Sequence, residues 1–472
     1  MASIFNTGQS QNNQLDQLVA AYRATQQPQI TRLQQQQTKL EKTSTYYNKL
    51  NGQLNSMISQ IDKFKADDAA SNFSAKKVTS SSSDYATATA TGEAPDGLNT
   101  LRVKRLATAD ILISSQLTSA DNFGLSGTKT LEFVINGETK SVNVDFDGTE
   151  TNSDAMQKIV TAINDSDDFG ITAGLVKDTT TTSKLTFRSQ STGEDYNLNF
   201  NDSEVFNALG ITQAALNPNT STRTVSTTTS AGYKATDQAE LNSYTIVNGV
   251  DVRRNSNTMT DVLSGMTISL IKAQADSDPE ISLNTSVNNE TAEGFIKPFI
   301  DTYNNLVKFL SSDKDQLRSD SAVSGLRFNL RSILTQEVTA AQDGNPKYLT
   351  NIGLDINSDG TLVIKDSDLL KQLLTEDPSK VSDIFLASDG IINKVKQNVD
   401  RLKGSDDLMK AKTLDIANQI DDQKKKIEDM QSRIDRQAEA QKKQYTRILD
   451  SYYQAQAQYN SFNSFIQSNS GV

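Results

Sequence analysis

The chain contains neither histidine nor cysteine in 472 residues. Without an imidazole, the commonest general base and metal ligand near neutral pH is missing. Without a thiol, so are the cysteine nucleophile, the disulfide and the thiolate metal site. Carboxylate pairs, Ser/Lys dyads and oxygen-ligand metal sites survive this exclusion, but no pair of acidic residues stands in a recognisable catalytic setting. The expectation is a protein that is not an enzyme, with no cofactor. An excess of positive charge is lacking too. The 47 Lys+Arg against 58 Asp+Glu leave a net charge of -11, which argues against nucleic acid or an anionic membrane as the main partner. Arg102, Lys104 and Arg105, and likewise Arg253 and Arg254, fall inside alternating runs and read as solvated strand faces. No window approaches the roughly 20 apolar residues of a membrane span, and the opening Met1 to Ser10 has no basic or apolar signal region. The chain is expected to carry no membrane insertion and no Sec signal, so an extracellular role would need another export route.

What is present is a seven-residue rhythm at both ends. Leu33, Leu40, Tyr47, Leu54 and Ile61 repeat near the start, and Ile420, Ile427, Ile434 and Ile448 fall on the same spacing near the end. A seven-residue apolar repeat keeps a narrow helical stripe against a partner helix, whereas a lone globular helix wants a wider face. Both ends therefore read as coiled coil, paired within one chain or between chains, since heptads specify a helical partner and not its chain. Tyr445, Tyr452 and Tyr459 form a further heptad stripe, read as packing surface. Residues 1 to about 14 are polar and read as disordered alone, and Pro28 is expected to interrupt the first helix.

Between the ends the pattern changes to strands. Leu131 to Phe146 alternates around Asn136-Gly137, and Tyr244 to Val252 around Asn248-Gly249; each Asn-Gly supplies the positive φ of a tight primed turn. Ser153 is a candidate cap for a helix carrying Met156, Ile159, Val160 and Ile163, and a strand through Leu185 and Phe187 follows. The Thr- and Ser-rich stretch Asn217 to Ser230 reads as a linker. Asn257 to Gly265 reads as one capped helical segment before a strand through Met266, Ile268 and Leu270. Helical spacing returns beyond Asn288 and recurs at Leu326 to Val338, Asp368 to Leu374 and Val381 to Phe385, and a final coiled coil is expected from near Ser405.

The expected fold is thus multidomain α+β: terminal coiled-coil helices forming a stalk, a helical domain, and central β-rich, hairpin-based domains inserted between them. The expected divisions are 1–42 with 405–472 for the stalk, disordered when unassembled, and 43–77 with 286–404 for the helical domain. The β-rich domain takes 78–112 with 231–285, and 113–230 is an inserted α+β domain.

One motif suggests a metal. Asp355, Asn357, Asp359, Gly360 and Asp366 occupy positions 1, 3, 5, 6 and 12 of a calcium-loop pattern. Yet the last position lacks the expected Glu, Val363 cannot ligate through its side chain, and no helix enters the loop. A tight Asp359-Gly360 turn between two short strands is the favoured reading, with calcium a minor alternative.

Several runs, in order, resemble the flagellar filament-cap family, flagellar hook-associated protein 2. They are Arg254 to Leu270, Tyr303-Asn-Asn-Leu-Val307, and Ile352-Gly-Leu-Asp-Ile-Asn-Ser-Asp-Gly-Thr-Leu362. The last continues to Leu373, Asp377-Pro378, Val381, Phe385 and Asp389-Gly390. The hairpin and helix from Leu131 to Ile163 are similar to a module shared by flagellar axial proteins. The resemblance implies a secreted protein at the extracellular tip of the bacterial flagellum, exported by the type III route. It would form a homo-oligomeric ring, a pentamer or a similar small ring, that promotes flagellin polymerisation and prevents flagellin loss. Implied partners are flagellin, hook-filament junction proteins and a cytoplasmic export chaperone at the C-terminal helix, with the heptad residues as oligomer or filament interface. A surface adhesin attaching to host or matrix is the alternative.

Overall fold

The computed structural model describes residues 2–220, 222–312, 320–403 and 407–469. They form two compact units, Met1–Ala70 with Glu293–Val472, and Ser71–Ala292. The architecture is multidomain α+β, with helices from both chain ends in one unit and β-rich cores in the other. Among the described residues no helix is long and apolar enough to cross a membrane.

Helix α1 runs Ala2–Lys65. It passes through Pro28 without a break. A proline inside a helix removes one hydrogen bond and costs about 3 kcal/mol. Here the ring lies on the exposed face, while Val19 on one side and Ile30 on the other are buried, so packing holds the helix across the defect.

The β-rich unit holds two cores. In the first, an antiparallel sheet orders Lys76–Ser80, Ile281–Val287, Gly97–Arg105, Ser243–Val247 and Val250–Arg254. A three-stranded sheet of Thr258–Met259, Met266–Leu270 and Ala86–Ala90 contributes to the same core, where Leu101, Val103, Ile268 and Leu283 are fully buried. Asn248 and Gly249 both adopt positive φ, 50° and 81°, as the primed turn requires. The helical segment expected over Asn257 to Gly265 is instead a short strand with turns. Asn257 does not cap a helix: its side chain accepts from Ala107 N at 2.7 Å and donates to Ala107 O at 3.0 Å, pinning the loop to a neighbouring segment.

The second core is built on the hairpin Ser126–Ile135 with Glu138–Asp147, turned by Asn136 and Gly137. Helix α2, Asn152–Asn164, buries Met156, Ile159 and Ile163; its N-cap is Thr151, which accepts from Asp154 N, two residues before the expected Ser153. Strands Ile171–Val176 and Thr182–Thr192 and the short helices α3, Glu204–Ala208, and α4, Gln213–Leu216, complete it. Phe133 lies 5.1 Å from both Phe187 and Phe206, ring to ring.

The stretch read as a linker, Asn217 to Ser230, is a structural strap. Arg223 within it is buried and makes two guanidinium hydrogen bonds to the equally buried Asp110, at 2.6 and 3.0 Å, while stacking 3.9 Å over Tyr233. A paired, planar fork of this kind is the geometry in which a buried charge is tolerated.

The helical unit resumes with α5, Asn289–Ser312, then α6, Ser321–Ile333; a hairpin of Leu354–Ile356 and Leu362–Ile364 leads to α7, Ser367–Glu376, and α8, Ser379–Leu386. Phe64 of α1 packs on Phe295 and Phe385 at 4.2 and 5.8 Å. Helix α9, Ile391–Lys403, adds to the helices expected from the sequence, and Ile391, Ile392, Val395, Val399 and Leu402 line its buried face at helical spacing. The chain ends in α10, Leu408–Asn469.

Candidate assembly interface

The terminal helices α1 and α10 run antiparallel in one chain. Polar pairs fix their register: Lys442 to Asp16 at 2.8 Å, Tyr22 Oη donating to Gln437 Oε1 at 2.8 Å, and Arg23 with Asp435 at 3.2 Å. Farther along, Gln423 Nε2 donates to Leu33 O and Gln36 Oε1, at 3.0 and 3.1 Å. Between these rungs Ile30, Ile427 and Ile434 form a small apolar core, flanked by Tyr22, Leu33 and Met430. This part of the heptad seam is therefore closed within the chain. Of the other predicted residues, Leu40 and Ile420 are half-buried, and Leu54 and Ile61 are buried in the helical bundle.

Tyr47 has a different setting. Its hydroxyl donates to Asp320, whose carboxylate also takes Lys412 Nζ at 2.7 Å and the amide of Ala322 at 2.9 Å. Asp320 thereby caps α6 while tying α1 to α10. Burial pushes the Tyr47 hydroxyl well above its ordinary pKa, and the hydrogen bond to Asp320 adds to the shift. Burial also acts to raise the Asp320 carboxyl, but the bonds from Lys412 and Tyr47 outweigh it and hold the group below the usual carboxylate range.

Beyond Ala438 the seam opens. Tyr445, Ile448, Tyr452 and Tyr459 are exposed, the last three by 55, 59 and 63%. Together with Phe462, which is 61% exposed, they continue the register of Ile434 and Ala438 at spacings of three, four and seven. The sequence repeat that runs through the tyrosines also marks Phe462, and Phe465 beyond it is exposed as well.

The four calcium-loop residues are engaged in a turn. Leu354–Ile356 pairs with Leu362–Ile364, and Gly360 has φ of 88°. Asp355 accepts from Lys365 at 2.5 Å; Asp359 accepts from the amide and hydroxyl of Thr361 at 2.9 and 2.6 Å. Asn357 Nδ2 donates to Thr361 Oγ1 at 3.0 Å, and Asp366 accepts from Leu369 N at 2.9 Å as the cap of α7. Among the described residues no group of three or more His, Cys, Asp or Glu could hold a metal ion.

Comparison with known proteins gives this arrangement a family. The model for the flagellar hook-associated protein 2 N-terminus matches residues 11–110, and that for its C-terminus matches 241–457, together about two thirds of the chain. The chain belongs to the flagellar hook-associated protein 2 family. The A-type flagellar hook-associated protein 2 of Pseudomonas aeruginosa is 25% identical over 406 residues, covering 83% of this chain and 81% of that protein. The Escherichia coli K12 hook-associated protein 2 is 24% identical over 473 residues and covers 95% of each. The crystal structure of the D1-D2-D3 domains of the Escherichia coli flagellar cap protein FliD shares the fold. It has a TM-score of 0.62 at 22% identity, covering 78% of this chain and 99% of that one. The open half of the α10 seam is an exposed apolar stripe on a chain of this family.

Proposed function

We propose that the chain is the capping subunit at the distal, extracellular end of the flagellar filament. It would assemble with its own copies into a small ring, promote flagellin polymerisation and retain flagellin at the growing tip. The observation that carries this reading is the unfinished heptad of α10 in a chain of the hook-associated protein 2 family. A seam that is dry and paired at Ile427 and Ile434 continues, in register, as exposed Tyr445, Ile448, Tyr452 and Tyr459. Exposed aromatic side chains in a contiguous stripe mark a surface that is covered in the assembled state. Flagellin, hook-filament junction proteins and further copies of this chain are the partners proposed for it, with an export chaperone covering the same helix before secretion through the type III channel. Nothing in the geometry favours the adhesin alternative.

The test is complementation of a strain lacking the gene, with filaments counted by electron microscopy and flagellin assayed in the medium. Wild-type chain should restore filaments and lower free flagellin. Purified Tyr452→Asp protein, added from outside so that export is bypassed, should do neither. Full restoration by that variant would remove the α10 stripe as the attachment surface, and normal filaments in the deletion strain would remove the capping function.

A further inference from the structure

The five-stranded sheet of the β-rich unit ends on the strand Val250–Arg254. It pairs with Ser243–Val247 on one side and, among the described residues, with no strand on the other. Because Val247 and Val250 close a two-residue Asn-Gly turn, they form a hydrogen-bonded pair, and the pattern alternates from there. Val250, Val252 and Arg254 therefore turn their backbone groups toward the neighbouring strand. Asp251 and Arg253 turn theirs outward, to the open edge. The strand has no proline, no lysine and no bulge, which are among the usual guards of such an edge.

Asp251 and Arg253 also share one face of the strand, and both are exposed. Neither makes an ion pair or a side-chain hydrogen bond among the described residues, whereas the next arginine, Arg254, is bound to Asp261 at 2.9 Å. The Arg253 guanidinium lies 5.0 Å over the ring of Tyr244, which holds it on that face. Arg102 and Lys104, on the strand beyond, are already engaged with Asp276. Asp251 and Arg253 thus stand about 7 Å apart along an open edge, opposite in sign and unpaired.

The geometry points to a second copy of this chain as the occupant of the edge, joined antiparallel about a twofold axis at Val252. In that register the outward backbone groups of Asp251 meet those of Arg253 in the copy, so two hydrogen-bonded pairs form across the axis. The same register sets each Asp251 carboxylate opposite an Arg253 guanidinium. Val252 faces its own equivalent. A strand that reads acidic-apolar-basic is its own complement only when the second strand runs antiparallel; a parallel copy in register would set like charges together. Arg253 O accepts from Arg254 Nη1 at 2.8 Å and keeps a second lone pair for the copy. With five residues a side the contact is small, and pairing is expected at chain concentrations of about 0.1–1 mM. This contact closes at two copies, is separate from the α10 stripe, and does not rest on the capping function.

The chain lacks cysteine, so one introduced residue reports the contact without background. Across the axis the two Val252 positions form a non-hydrogen-bonded pair with Cα atoms about 4.5 Å apart, inside the roughly 4.4–6.8 Å that a disulfide spans. The two Val250 positions lie more than about 13 Å apart and cannot be bridged. In the full chain, Val252→Cys should give a disulfide-linked dimer on mild oxidation, and Val250→Cys should not. Val252 is half-buried, so the melting curve of its variant is compared first, and charge reversal carries the test should it unfold. Arg253→Glu or Asp251→Arg alone sets like charges across the axis and should weaken association about tenfold by sedimentation equilibrium. An equal mixture of those two variants restores both ion pairs and should associate as wild type does. Association through the α10 stripe, which these exposed substitutions leave untouched, does not produce that pattern. Equal association of the single variants and their mixture, cross-linking of Val250→Cys as readily as Val252→Cys, or a monomeric wild type at about 1 mM would each overturn the assignment.

Discussion

The two halves of α10 obey one sequence rule and end in opposite environments. From Gln423 to Ala438 the heptad face is buried against α1, with Ile427 and Ile434 in a core with Ile30. From Tyr445 to Phe462 the same face is exposed. The difference does not come from α10, whose repeat is if anything more aromatic in its second half. It comes from what the antiparallel partner has to offer. Asp16 meets Lys442, and the sequence that precedes Leu15 reads Ala-Ser-Ile-Phe-Asn-Thr-Gly-Gln-Ser-Gln-Asn-Asn-Gln. With two large apolar residues in thirteen, this stretch lacks the repeat that a dry seam requires. One half of α10 is thus a folding surface, and the other is exposed in the single chain.

The comparison breaks most directly at its buried end. Ile434→Asp replaces a buried apolar side chain with a charge that must be desolvated or protonated, at a cost of about 3–5 kcal/mol. Helical signal should melt early from the α1/α10 pair while the β-rich unit keeps its transition, read by circular dichroism and by hydrogen exchange of the two units. Retention of the full helical melting curve would show that the internal seam contributes little. A smaller effect, about 1–3 kcal/mol, is expected at Asp320, where charge-assisted bonds join α1, α6 and α10. Its carboxyl is held below the ordinary value near 3.9, so its stabilisation is present in full above that value. It is lost as pH falls further, through the lower pKa of the folded state. Asp320→Asn should therefore differ most from wild type near neutral pH and converge with it below about pH 4, in thermal melts across pH; a gap independent of pH would assign the loss to packing.

Periodicity made the terminal helices and both Asn-Gly hairpins legible, because each is a local signal: a spacing, or a residue pair that tolerates positive φ. What stayed illegible depends on distant partners. Nothing in a Thr- and Ser-rich run distinguishes Arg223 as the counter-ion of Asp110, 113 positions away. Nor does Asn257 declare that its side chain will bond the backbone of Ala107 in place of capping a helix. Pro28 looks like a stop until the packing on either side is known. Helix α9 is a different case, since its apolar spacing stands in the sequence but lies between two stronger patterns. For the candidate interface, the heptads located the stripe but could not separate its closed half from its open half. Tyr47 shows the same limit: its place in the repeat says nothing of Asp320.

The smallest expected change in stability is also the one that bears most on assembly. Tyr452 is 59% exposed and its ring contacts Tyr453 edge-on at 5.6 Å. Replacing an exposed side chain away from caps and cores changes stability by about 0.5 kcal/mol or less. Tyr452→Asp should therefore leave the melting curve of the isolated chain unchanged. In an assembled seam the same carboxylate would be buried beside aromatic neighbours, where an unpaired charge costs several kcal/mol. The variant should accordingly fail to cap filaments at concentrations where wild type succeeds, and Tyr452→Phe, which keeps the ring, should cap normally. The pair of substitutions separates loss of an apolar contact from loss of the hydroxyl. Were Tyr452→Asp to lower the melting temperature as Ile434→Asp does, the second half of α10 would have to be packed in the free chain, and the contrast between its two halves would disappear.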